Sequence, residues 1–150
     1  MKRVCLLLVV VLCACGADKK KDATKEDLKS FAGSWKATKL TYNGEKLDID
    51  GKYKIKLTFK GNAGTVEADA KIKKEYAKIK IKLDATTTPK LIDVEISGGS
   101  QKGSKFEGIY ELKGNKLKLC VKITGNDRPD KFESKEGDGV ALVELEKKKE

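Results

Sequence analysis

The 150 residues carry 33 Lys and Arg against 23 Asp and Glu, a formal charge of +10, and contain no His. Without His there is no Ser–His or Cys–His nucleophile pair and no imidazole metal ligand. After residue 3 the only Arg is Arg128, so the guanidinium forks that read bases and phosphates are scarce and no nucleic-acid partner is expected.

The chain opens Met1-Lys2-Arg3, continues through the apolar run Val4–Leu12 and ends that segment in Cys13-Ala14-Cys15. A basic start, an apolar stretch and small residues form a secretory signal, and the stretch is well short of the ~20 residues a spanning helix needs. Leu12-Cys13-Ala14-Cys15 resembles the lipobox of bacterial lipoproteins. That implies cleavage after residue 14 and a diacylglyceryl thioether on Cys15, with ordinary cleavage without lipid as the alternative. Cys5 and Cys13 would leave with the signal and Cys15 would carry lipid, so Cys120 stands alone and the mature chain has no internal disulfide. The expected location is the bacterial cell envelope, on the membrane.

Residues 15–25 are polar and Lys-rich and read as a flexible tether. Thr24-Lys25-Glu26-Asp27 has the form of a capping box starting a short helix, with Leu28 and Phe31 one turn apart and Gly33 at its end. From Ser34 onward apolar and polar residues alternate: 34–42, 53–60, 66–72, 77–83, 92–96, 105–113, 117–123 and 141–145. Strict alternation predicts antiparallel strands with one wet face. Their connectors, among them Asn43-Gly44, Gly98-Gly99 and Gly114-Asn115, are hairpin-like. The outward Glu67 and Asp69 are expected to lie between Lys54 and Lys56 on one side and Lys78, Lys80 and Lys82 on the other. The expectation is an all-β domain over 26–150. It is an antiparallel up-and-down barrel of about eight strands with a short N-terminal helix.

Two resemblances attach to particular residues. Gly33-Ser34-Trp35, a G-x-W opening the first strand after a short helix, resembles the opening motif of lipocalins, which makes Trp35 the barrel-base residue. Thr88-Pro89-Lys90-Leu91-Ile92-Asp93, Gly108-Ile109-Tyr110-Glu111-Leu112-Lys113-Gly114-Asn115-Lys116-Leu117-Lys118-Leu119-Cys120 and Arg128-Pro129-Asp130-Lys131-Phe132 together resemble an uncharacterised lipocalin-like domain family of planctomycete-type bacteria. The likeness runs over roughly 33–146. It implies a lipocalin-like barrel in an exported protein and brings no activity with it.

Phase along the strands then nominates residues. Ala68, Ala70 and Gly108 are small and inward, and with Phe59 and Tyr110 they are the candidate lining of a cavity. Cys120 falls on the outward phase between Lys118 and Lys122. It is read as a small hydrophobe beneath the 125–139 loop beside Ile109, the alternative being a thiol activated by those lysines. Arg128 and Phe132 are then the loop's fastenings. Gly98–Lys105 has the wrong Lys/Ser order and setting for a phosphate loop. The acids of 127–138 could hold calcium through oxygen, with a solvated loop the favoured reading.

No catalytic residue, cofactor or metal is expected. The sequence points to a lipid-anchored binding module, a monomer, that holds a small apolar or amphipathic ligand. The alternative is a solid barrel serving as an envelope structural or protein-interaction domain, since a small eight-stranded barrel can be filled by its own side chains.

Overall fold

The computed structural model of the chain describes residues 15–149. Residues 1–14, expected to be a signal, the side chains of residues 15–20 with the Cys15 thiol, and Glu150 lie outside the described residues.

Helix α1 runs Cys15–Phe31, so the stretch expected to be a tether is helical. Its Ala, Lys and Glu residues are good helix formers and the segment has no Pro, and polarity alone does not make a segment loose. The expected capping box has another use. The Thr24 hydroxyl accepts from the Ala85 amide at 3.1 Å, and the Asp27 carboxylate reaches across to the barrel.

Nine strands follow in one antiparallel sheet: β1 (Gly33–Tyr42), β2 (Glu45–Leu47), β3 (Lys56–Lys60), β4 (Ala63–Glu67), β5 (Lys78–Asp84), β6 (Lys90–Gly98), β7 (Lys105–Lys113), β8 (Lys116–Lys122) and β9 (Val140–Lys147). The order is sequential from β3 to β9, and β9 returns to pair with β1 from Trp35↔Lys147 to Tyr42↔Ala141. β2 and β3 share the other edge of β1, β3 against residues 33–36 and β2 against 40–42. The two therefore fill one strand position, and the molecule is a closed eight-stranded up-and-down barrel. Closure pairs β1 and β9 on both sides, while the short β2 pairs with β1 alone. The Asn43-Gly44 turn joining β1 to β2 takes φ of 51° and 80°, the left-handed pair a type I′ hairpin needs.

One expected strand is broken. After Glu67 the chain leaves the sheet and forms helix α2 (Ala70–Glu75). Asp69 Oδ1 caps it, accepting from the amides of Lys71 at 2.9 Å and Ile72 at 3.1 Å. The alternation through Ala68, Ala70 and Ile72 fits a strand as well as the first turn of a helix, and the Asp cap decides between them. The charge ladder changes with it. Lys56 pairs with Glu67 at 3.1 Å, whereas Asp69 is spent on the cap, and Lys80 and Lys82 stand opposite Glu95 and Asp93 of β6.

The core lies inside the barrel, built from the inward phase of every strand. A second apolar cluster lies outside it: Ile109, Cys120 and Val140, with Leu91, Phe132 and Leu142 packed against them. It sits on the outer face of β7–β9, beneath the connection from β8 to β9.

Candidate functional site

One end of the barrel is sealed. Phe31, the last residue of α1, is fully buried there and meets the rings of Phe59 and Tyr110 edge-on, at 5.4 and 5.3 Å. Such pairs contribute about 1 kcal/mol each beyond the area they bury. Trp35, also fully buried, donates its indole N–H to the Phe31 carbonyl at 2.7 Å, which caps the helix and satisfies the ring nitrogen together. Above Trp35 sits a cation from the last strand, Lys147, with Nζ 5.4 Å from the ring and 3.0 Å from the Ser30 carbonyl.

A polar latch holds the helix over this end. The Tyr110 hydroxyl and Lys90 Nζ both donate to Asp27 Oδ2, each at 2.7 Å. Burial raises the Tyr110 phenol well above its ordinary pKa, and the bonded Asp27 carboxylate raises it further, so the hydroxyl remains a donor. The group resembles a catalytic constellation in its residue types. In this setting each member is spent on joining α1 to β6 and β7.

The five residues nominated as cavity lining do not surround one space. Phe59 and Tyr110 are part of the sealed end, 2% and 1% exposed. A Cβ at Gly108 would lie 2.5 Å from the Cys120 carbonyl oxygen and 3.0 Å from Val121 Cα. Gly108 therefore lets β7 and β8 approach and opens no hollow. Ala70 is exposed on α2, and only Ala68 stays against the core, half-buried where β4 ends. Phe59, Gly108 and Tyr110 lie on strands and are buried, while the helix at 70 and the close strand approach at 108 keep the five from forming one lining.

The loop fastenings converge. Arg128 Nη1 donates to the carbonyls of Gly108 at 2.7 Å and Ile92 at 3.1 Å, and Nη2 donates to Asp93 Oδ1 at 2.6 Å. Phe132 packs on the outer cluster, with Lys118 Nζ 5.8 Å from its ring. Cys120 is fully buried, its thiol donating toward the carbonyls of Lys131 at 3.3 Å and Glu133 at 3.5 Å. Burial pushes the thiol up to about 11, the opposite of an activated nucleophile. The Asp138 carboxylate accepts from the Lys135 and Val140 amides at 2.6 and 2.9 Å, closing the loop's last turn.

The opposite end differs in kind. Ile55, Ile72, Tyr76, Phe106 and Ile123 pack on the core there yet are only half-buried. Tyr76, which ends α2, lies 6.4 Å from the Phe106 ring, tilted by 59°. Burial raises its phenol pKa, with Glu75 and Tyr42 adding to the effect. Alternation included Ile55, Ile72, Phe106 and Ile123 in expected strands without nominating them for a site, and in the structure Ile55, Ile72, Tyr76 and Ile123 all lie beyond the strand ends. The only available signal was apolar residues persisting into the 48–55 and 68–77 connections. No family model, curated protein or solved structure matches the chain.

Proposed function

We propose that the chain is an exported, lipid-anchored, lipocalin-like barrel that holds a small apolar or amphipathic molecule at the end opposite α1. The observation that carries this reading is the asymmetry of the core. Phe31, Trp35 and Tyr110 close one end almost completely, while Tyr76, Phe106 and Ile72 leave apolar surface half-covered at the other. Half-covered apolar side chains beside a polar group, such as the Tyr76 hydroxyl, offer a small apolar or amphipathic molecule both kinds of contact. The Cys15 motif supports the anchor. The G-x-W motif supports the lipocalin kinship, while Lys147 over Trp35, where lipocalins carry Arg, is a departure from the family pattern.

Native mass spectrometry of protein taken from its own envelope, with titration of an apolar fluorescent probe, tests the binding. A co-purifying small molecule, and probe binding lost in Phe106→Glu, are expected. An empty protein whose probe binding ignores that change would sink it. For the anchor, Cys15→Ser should abolish labelled fatty-acid uptake and membrane partition, and unchanged labelling would refute it.

A second reading, a solid barrel used for protein interaction, is favoured by the filled middle. Ile92, Leu117 and Leu145 are at most 1% exposed, which leaves a ligand only the shallow end.

A further inference from the structure

We propose that the α1 end of the barrel rests against the anionic headgroups of a phospholipid membrane. The orientation rests on the Cys15 anchor just proposed; the surface itself stands on charge. Leu28 and Phe31 of α1 turn into the barrel, so its outer side exposes Lys21, Lys25 and Lys29. Spaced four apart, these form one ridge. Around them, at the strand ends of the same pole, Lys60, Lys116 and Lys148 are exposed as well. None of the six has an ion-pair partner among the described residues. Two of the pole's carboxylates are already engaged, Asp27 with Lys90 at 2.7 Å and Glu111 with Lys113 at 3.0 Å. Asp22, Glu26, Asp130 and Glu146 are exposed acids set against the lysines, Asp84 lies beside Lys21 and Lys25, and Lys148 shares a depression with Asp50 and Glu67. At the other pole the loops mix signs, as in Asp48, Asp50 and Lys52, or Glu133 and Lys135.

The six amines are spread over a convex surface and converge on no point, so they fit a plane of charges better than one bound anion. Against such a plane each lysine strengthens binding about fivefold, and several small gains reinforce an acyl anchor. Seated this way, the barrel turns its half-covered apolar end toward the aqueous side, where a ligand arrives.

The chain from residue 15 onward contains α1 and every strand. Carrying Cys15→Ser, it cannot take lipid, and it is floated with vesicles of phosphatidylcholine alone or mixed with phosphatidylglycerol. Partition onto the mixed vesicles only, reversed by high salt, is expected. Lys25→Glu with Lys29→Glu and Lys116→Glu should weaken it more than about tenfold. The same charge change at the other pole, Lys52→Glu with Lys73→Glu and Lys102→Glu, should leave it within about twofold. All six sites are exposed, and unchanged Trp35 emission checks the fold. Equal losses in both triple variants would overturn the proposal, as would partition indifferent to phosphatidylglycerol. Release by inorganic phosphate at constant ionic strength would do the same, marking a single-anion site. No acyl chain takes part, so failure here leaves the anchor standing, and failed fatty-acid labelling leaves this surface standing.

Discussion

At the scale of single residues, the chemistry that looks reactive is sequestered. Cys120 is flanked in sequence by Lys118 and Lys122, but strand geometry turns it under the 123–139 connection, where carbonyls and apolar groups surround it. Its protonated form is favoured by the fold, with an ordinary value of 9.0 rising to about 11. Below the ordinary value both folded and unfolded thiols are protonated, and stability is fully present. Between pH 9 and 11 the unfolded thiol ionises first, so stability falls as pH rises. Urea midpoints should therefore be flat through neutral pH and drop across that window, with Tyr110, whose ordinary value is 10.0, adding to the fall from about pH 10 upward. Cys120→Ala should lower the neutral-pH midpoint but remove the first part of the alkaline drop. A slope unchanged in that variant would show that the thiol is not its source. Gly108 makes a related point, since its value lies in what it leaves out: the Cys120 carbonyl occupies the place of a side chain.

At the scale of elements, α1 behaves as a stopper rather than a tether. Its grip combines the Phe31 ring, Leu28, the indole hydrogen bond, the Asp27 latch and the bonds of Thr24 and Ser30 to Ala85 and Lys147. Phe31→Ala should cost about 3–5 kcal/mol, because a large buried side chain is lost and a space remains among Phe59, Tyr110 and Trp35. The effect is read by chemical denaturation, and limited trypsin digestion should then cut sooner at Lys21 and Lys25. A loss below about 1 kcal/mol would mean that the ring is not the stopper. The helix was legible in part. Leu28 and Phe31 one turn apart mark its docked face, but Thr24 and Asp27 fit a cap so well that their tertiary partners were invisible. A hydroxyl and a carboxylate accept hydrogen bonds from whichever donors the fold brings near, and Ala85, Lys90 and Tyr110 are more than fifty residues away in sequence.

At the scale of the whole molecule, closure is the deciding feature. β9 pairs with β8 along its length and with β1 from Trp35 to Tyr42, so it is the last stave of the barrel. Removing residues 140–150 should expose the inner faces of β1 and β8 and abolish cooperative unfolding, as followed by Trp35 emission and calorimetry. A truncated chain that still melts cooperatively would show that the open sheet is stable alone.

Alternation of apolar and polar residues determined by itself that the domain is an antiparallel barrel, since a period of two leaves each strand one buried face and short turns allow only neighbours to pair. It also placed Cys120 and Ile109 together outside, because phase is a local property, while Trp35 was placed at the barrel base by the G-x-W resemblance. Which inward residues meet, and whether they leave room, was decided only by tertiary structure. Gly108 faces backbone, Ala70 belongs to a helix, and Lys147 rather than an Arg covers Trp35. Packing depends on distances across the barrel between residues far apart in the chain, and no periodicity in one strand records them.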